Sequence, residues 1–483
     1  MQTNTALPTN EQNRTEYKTC DAELPEFAVS RVFGDHMVLQ RGRPIKIWGF
    51  SSREGGKVFG HFGSQSAECT VRGGRFTLEF PAREASFEPQ TVRIYDDAGN
   101  EKKINDVLTG DVWVIGGQSN GEMNLRFCLP ETIPEDYDCD SGLRYFMQTQ
   151  AYVYTHQQLC SKPQPDVITD EFRWRLPDRE ASLSFSAIGA YIGRGLNEKL
   201  GIPVGMINMS AGGACIRELI PAELASELGY DYGANVPVCG YYNTLIHPFI
   251  GLSFTGMVFF QGESEGCVKE LADRYDRELI RLVEDEHERF GFDFPFYNVQ
   301  ISSYRNEGKQ YFPYLETVRL RQFEAYPRIK NSSIITSMDL GSPDDWGDFA
   351  HSPYKKRLCD RIIPLILAKS YGKGDVDAAE CPVPVSAVLD GGVVTVRFAH
   401  ATGGLVSRTG KATGFSFGYQ DNVTDADAVI TGPDTVAVTV PGGVDASYLN
   451  YAYASRITPD DAPLYDGTGL PCPAFRIKTE VRS

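Results

Sequence analysis

Four apolar runs in the middle of this chain break abruptly into small or polar residues: DVWVI into GGQSNGE, GMINM into SAGGA, MVFF into QGESEG, and SIITSMDL into GSPDDWGDFAH. Short apolar runs punctuated in this way read as buried strands. Helical patterns follow or separate them: SLSFSAIGAYIGRGLNEKLG, stopped by Gly201 and Pro203, then KELADRYDRELIRLVEDEHERFG, YLETVRLRQFEAY and a stretch from Pro353 to Ser370;. Strands that alternate with helices predict an α/β fold with a parallel sheet covered on both faces. Ligands of such sheets bind just beyond the carboxyl ends of the strands. The four polar endings are therefore expected to meet at one rim.

The text on either side has a different period. From Leu24 to about Asp106, the runs HMVLQ, IKIWGF, KVFGHF, RFTLEF and QTVRIYD are separated by turn residues, which predicts an antiparallel β-sandwich;. After about Lys373, SAVLDGGVVTVRFAH, KATGFSFGY and AVITGPDTVAVTV predict a second β domain. The expected division is a disordered lead over 1–23, a β-sandwich over 24–106, an α/β region over 107–375 with long loops at 126–181, and a β domain over 376–483. A length of 483 residues agrees with several domains, since one core stops growing well before that size;.

Charge narrows the function classes. Lys and Arg number 47 against 64 Asp and Glu, a net charge of −17. Nucleic acids and anionic membranes need a basic footprint, so neither is an expected partner. No run approaches the apolar length of a membrane span. Eleven cysteines without C-x-x-C spacing suit buried thiols better than a disulfide framework;. MQTNTALPTNEQNRTEYKTCDAE has no apolar core of a signal peptide, which points to the cytoplasm, or to secretion if a signal has been removed;. No dense metal-ligand spacing such as H-E-x-x-H occurs, and no metal or cofactor is expected.

Gly117-Gln118-Ser119-Asn120-Gly121 fits the G-x-S-x-G pattern of a nucleophile elbow;. A serine hydroxyl becomes a nucleophile when a histidine takes its proton and a carboxylate orients that histidine. Of seven histidines, His351 lies beyond a strand end with Asp348 three residues before it. His247, in the apolar stretch NTLIHPF, is its rival. Donors for an oxyanion are available in the backbone N–H of Ser119, the Gly212-Gly213 pair and the Gln261 amide. Each feature alone has a bland reading as a turn, a hydrogen-bonded pair or loop punctuation. Their co-occurrence in one α/β region favours a catalytic site.

GQSN at 117–120, NMSAGGACI at 208–216, QGESE at 261–265 and D-x-x-H at 348–351 resemble the blocks of SGNH-type carbohydrate esterases, and of the sialate O-acetylesterase and acetylxylan-esterase-like family in particular. SRVFGDHMVLQRGRPIKIWGF, YYNTLIHPFIG and LYDGTGLPCPAFRI extend the likeness over nearly the whole chain from about Leu24. The resemblance implies a flavodoxin-like three-layer α/β/α domain flanked by β-sandwiches. It also implies removal of O-acetyl groups from acetylated sugars, such as sialic acid or plant polysaccharide fragments, through an acetyl-enzyme.

Ser119 is then the nucleophile, His351 the general base and acid, and Asp348 its partner. Ser119, Gly213 or Gly212, and Gln261 form the oxyanion hole. Gln118, Asn120, Glu263 and Arg217 are the candidates for contact with the sugar. The G-x-S-x-G match becomes accidental, because the serine follows the first strand of its domain and acid and base share one loop. Gly121, Ala214, Arg217 and Leu219 depart from the family pattern. Arg217 either greets a sugar carboxylate or pairs with Glu218, and Leu219 stands where a large aromatic is usual. A glycan-binding protein without activity and an esterase for a non-sugar ester are the competing readings.

Overall fold

The strand Glu101–Gly117 (β1) runs through the middle of the molecule and belongs to two neighbourhoods at once. The computed structural model describes residues 24–148, 162–230, 239–304, 310–407, 410–419, 422–454 and 464–482. In its first half β1 pairs antiparallel with Ser86–Asp96 and, at Leu108–Gly110, parallel with Val38–Gln40. In its second half it lies at the centre of a parallel sheet. Every residue from Val107 to Gly117 is buried, as expected for a strand covered on both faces.

The sheet's other strands are Leu143–Met147 (β2), Arg173–Arg175 (β3), Val204–Asn208 (β4), Gly256–Phe260 (β5), Phe296–Gln300 (β6) and Ser332–Thr336 (β7). Their spatial order is β3-β2-β4-β1-β5-β6-β7. All neighbours are parallel except β3, which pairs antiparallel with β2. The chain leaves β1 toward β2 and β4 on one side, and leaves β5 toward β6 on the other. The winding therefore reverses between the adjacent strands β1 and β5, which is where ligand crevices open in such sheets.

Ser119–Glu122 forms a single helical turn (α1) directly after β1. The longer helices are Ala187–Leu200 (α2), Lys269–Phe290 (α3), Leu315–Ala325 (α4) and Lys355–Tyr371 (α5). Ser186 caps α2 by accepting from the Gly189 N–H, and Gly201 ends it at φ +65°;. Helix α2 packs against α5, and α3 against α4. No described helix is long and apolar enough to cross a membrane.

Two expectations need correction. The stretch 126–181, read as long loops, contributes β2 and β3 to the sheet. Proline- and aspartate-rich surroundings hid these short runs, and burial against β4 makes them strands. The boundary at 106/107 also has no counterpart in packing. Asp106 does turn into a left-handed conformation at φ +53°, but inside a continuous strand. One apolar core runs from Val32 and Trp48 through Trp113 to Ile366, so the first β region shares its interior with the α/β region. The C-terminal strands enclose a second core around Val394, Phe417, Val436 and Phe475. The expected lead at 1–23 lies outside the described residues.

Gly117 ends β1 at φ +120°, and a Cβ there would lie 2.1 Å from the carbonyl oxygen of Phe260 on β5. Only glycine permits both that backbone angle and that approach. Gly117→Ala is expected to destabilise the fold by about 3 kcal/mol. A melting temperature within one degree of the parent would reject this account of the β1–β5 junction.

Candidate active site

Ser119 begins α1, immediately after the Gly117 turn, and is half-buried. Its carbonyl accepts from Met123 N at 2.7 Å. Among the described residues, neither its hydroxyl nor its N–H finds a partner, as suits the first residue of a helical turn. Gln118, one residue earlier, is buried and secures the junction. Its N–H donates to Phe260 O at 2.9 Å, and its Oε1 accepts from Gly262 N, Ser264 N and Gln261 Nε2, each at 3.2 Å.

Asn120 does more. It is 1% exposed, and its Nδ2 donates to Glu263 Oε1 at 2.6 Å and to the carbonyl of Ala350 at 3.1 Å. Its Oδ1 accepts from Lys355 Nζ at 2.7 Å, and the same ammonium donates to Ser352 O at 3.0 Å. One buried amide thus ties the turn after β1 to the loop after β5 and to the segment leading into α5. Ser119 and His351 each lie one residue from the Asn120–Ala350 hydrogen bond. The sequence reading missed Lys355, because a lysine opening a helix normally signals a solvated face. Burial pushes its ammonium down to about 8, against the opposing influence of Glu263;.

His351 Nδ1 bonds Asp348 Oδ2 at 2.6 Å, and Asp348 Oδ1 accepts from Ala350 N and His351 N at 2.9 and 3.1 Å. Burial opposes ionisation of Asp348, but the imidazole hydrogen bond, its charge and the two backbone donors together hold the carboxyl below its usual range;. The imidazole remains about one-third exposed. Such a pair is not diagnostic alone: His36–Asp106 and His400–Asp377 make equivalent bonds at 2.7 and 2.6 Å elsewhere. What separates His351 is its seat at the strand ends beside the Ser119 turn. The rival His247 bonds the Gln164 carbonyl at 2.8 Å and is held below its ordinary value by burial.

The glycine pair divides its work. Gly212 N donates to Glu122 Oε2 at 2.8 Å and is taken. Gly213 sits exposed at φ +73°, and among the described residues its N–H has no acceptor. Its carbonyl accepts from Ser264 Oγ at 2.9 Å. Two free backbone donors, Ser119 N–H and Gly213 N–H, therefore stand on the strand ends that flank β1's turn.

Five expected contacts take other places. Gln261 is fully buried, and its amide nitrogen is committed to Gln118 Oε1, the Ala214 carbonyl and Glu265 Oε2, while Tyr275 donates to its Oε1. It has no N–H left for an oxyanion. Gln118, Asn120 and Glu263 are buried braces rather than sugar-facing groups. Glu263 is raised above the usual range by burial, opposed by the Asn120 hydrogen bond. Arg217 pairs with Glu218 at 3.6 Å and is half-exposed. Leu219 is 2% exposed, so its size bears on the packing of the short helix Ile216–Leu219 and not on the rim. Among the described residues, no group of three or more His, Cys, Asp or Glu is placed to hold a metal ion.

Replacing Asn120 by leucine would strand a buried ammonium, a carbonyl and a carboxyl together. Asn120→Leu is expected to lose about 3 kcal/mol or more of stability, and a parent-like denaturation midpoint would contradict the bracing role. Glu265 predicts a pH effect. Burial raises it from 4.5 to about 8, against donors Ile216 N–H and Gln261. Between those values the folded chain holds a proton that the unfolded chain releases, so this group's contribution to stability falls as pH rises from about 4.5 through 8. Glu286, raised to about 8 by burial, acts with the same sign. Glu265→Gln should therefore flatten, without abolishing, the decline of stability over that window in denaturant titrations. An unchanged slope would refute it.

Comparison with known proteins supplies the family. Residues 109–357, just over half the chain, match the family described as carbohydrate esterase, sialic acid-specific acetylesterase. Human sialate O-acetylesterase is 27% identical over 314 residues, an alignment that covers 58% of this chain and 57% of that protein. The mouse sialate O-acetylesterase is 25% identical over 328 residues. The chain thus spans less than two thirds of the length of these curated relatives. A crystal structure of a carbohydrate acetylesterase from Xanthomonas citri superposes with a TM-score of 0.80 at 25% identity, covering 94% of this chain and 99% of that one. The turn after β1, the exposed glycine after β4 and the Asp348–His351 pair lie within the matched residues, and the chain belongs to the sialic acid-specific acetylesterase family of carbohydrate esterases.

Proposed function

We propose that this protein is a serine esterase that removes O-acetyl groups from acetylated sugars. The observation that carries the reading is the Asn120 brace, whose hydrogen bond to Ala350 at 3.1 Å keeps the residues flanking Ser119 and His351 together. Beside it stand the Asp348–His351 bond and the free donors of Ser119 and Gly213. The names of the relatives, sialate O-acetylesterase and carbohydrate acetylesterase, agree with it. We read the parallel sheet and its helix pairs as the three-layer SGNH arrangement, with β-sandwiches before and after.

In this scheme His351 Nε2 takes the Ser119 proton as Oγ adds to the acetyl carbonyl. Asp348 keeps the imidazole in the tautomer whose Nδ1 carries hydrogen and stabilises the imidazolium. The N–H groups of Ser119 and Gly213 receive the negative charge on the carbonyl oxygen, a contribution worth roughly 10²–10³ in rate per donor. Gln261 acts behind them by bonding the Ala214 carbonyl, which keeps the glycine loop close to β1 and β5. Collapse of the tetrahedral adduct breaks the bond to the sugar oxygen, and His351 returns the proton to that leaving oxygen. Water gives a proton to the same imidazole as it adds to the acetyl-serine; the bond between Ser119 Oγ and the acyl carbon then breaks, His351 returns the proton to Oγ, and acetate leaves. Gly213 has open space where a side chain would project, which leaves its N–H accessible to the ester carbonyl.

Ser119→Ala is expected to lower acetate release from an aryl acetate by at least about 10⁴-fold with an unchanged melting curve. Asp348→Asn should lower kcat by about 10⁴-fold through the wrong imidazole tautomer. Stoichiometric labelling of Ser119 by an organophosphonate would separate an esterase from a glycan-binding protein on the same scaffold. Parent-like turnover by Ser119→Ala rejects the proposal.

A further inference from the structure

Beside His351 a cluster of four aromatic rings runs from the buried site to the surface. Tyr304, 2% exposed, stands edge-on to Phe312 at 5.5 Å and to Phe349 at 6.0 Å. Its hydroxyl is within 3.4 Å of Asn120 Nδ2. Phe349 lies between Asp348 and Ala350, in the loop that carries the imidazole. Tyr311 stacks on Phe349 with centroids 5.7 Å apart and planes 18° from parallel, and it is 58% exposed. Single apolar residues on a surface need no explanation. Tyr311 is different, because it is the outermost member of a stack rooted in the polar brace under Ser119.

We propose that Tyr311, supported from behind by Phe349, is a platform for the pyranose ring of the leaving alcohol. The inference rests on the esterase reading and adds the subsite that holds the sugar. An ester carbonyl held by Ser119 N–H and Gly213 N–H must send its alcohol portion outward, past the imidazole that protonates it. The aromatic stack occupies the loop on that side. A pyranose carries its hydroxyls at the ring edge and weakly positive C–H bonds on its faces. An aromatic face, negative by its quadrupole, attracts such bonds and is stripped of little water-bound charge on contact. Phe349 holds the Tyr311 ring in a fixed orientation, so less freedom is lost when the sugar docks. The platform carries no charge, and it therefore selects for the ring face rather than for a carboxylate.

The test uses the full chain with Ser119→Ala as the binding background; the ligands carry no ester, so the readout does not depend on which residue is the nucleophile. Methyl β-D-xylopyranoside, methyl β-D-glucopyranoside and the methyl glycoside of N-acetylneuraminic acid are titrated by saturation-transfer NMR. At least one should bind, and adding Tyr311→Ala should weaken that binding roughly three- to tenfold, while Tyr311→Phe retains it. In the active chain, the same Tyr311→Ala change should raise KM for an acetylated methyl glycoside by a similar factor and alter kcat less than about twofold. Equal affinity of the Tyr311→Ala chain, or no binding of any of the three glycosides, overturns the platform. Acetate release by Ser119→Ala at the parent rate would instead reject the esterase assignment, so the two failures are distinct.

Discussion

Strand β1 cannot leave its place without opening both the parallel sheet and the first β region. Its eleven residues from Val107 to Gly117 are all buried. From Asp111 to Ile115 it pairs with β4 on one side and from Trp113 to Gly117 with β5 on the other, and a buried backbone group without such a partner is costly. Its earlier residues serve Ser86–Asp96 in the same way. Burial along one strand therefore aligns two regions and delivers its last residue, Gly117, to the point where the winding reverses. Ser119 inherits its position from that alignment.

The polar residues around Ser119 act mainly on one another. Gln118, Asn120, Gln261 and Glu263 are each no more than 3% exposed, and buried polar groups of this kind either find partners or destabilise the fold. Here they find them across chain segments far apart in sequence: Gln118 to the loop after β5, Asn120 to Ala350 and Lys355, Gln261 to Ala214. The network fixes the segments that follow β1, β4, β5 and β7 relative to each other. Among the described residues it leaves uncommitted the Ser119 hydroxyl, two backbone N–H groups and the outer nitrogen of a partly exposed imidazole, the set that the proposed chemistry uses. A rigid, satisfied frame around a few free groups is the expected design of a preorganised site.

Much of this was legible before any coordinates. The alternation of apolar runs with helical patterns identified the parallel sheet, and β1, β4, β5 and β7 fall where the four apolar runs stand. The blocks around Ser119, Gly213 and Asp348–His351 were legible as candidates because each has an unusual composition at a strand end. The strands β2 and β3 were not. Arg173–Arg175 has three residues, one of them fully buried, too little for any periodicity to register. The roles of Gln261 and Asn120 were also misread, since an amide offered to a substrate and an amide consumed by a neighbouring loop are spelled identically.

The sequence by itself therefore determined the order of elements, the glycines at the turns and the residue types at the strand ends, because those depend on local sterics and on the period of burial. Only the tertiary structure decided which groups are free. Whether Gly212 or Gly213 keeps its N–H depends on Glu122, and whether the loop of His351 or that of His36 is tied to the turn after β1 depends on how far-separated segments pack. Lys355 reads as a surface charge until packing places it under Asn120. Hydrogen-bond partners and solvent access are properties of neighbours in space, and a linear pattern carries them only where those neighbours are also close along the chain.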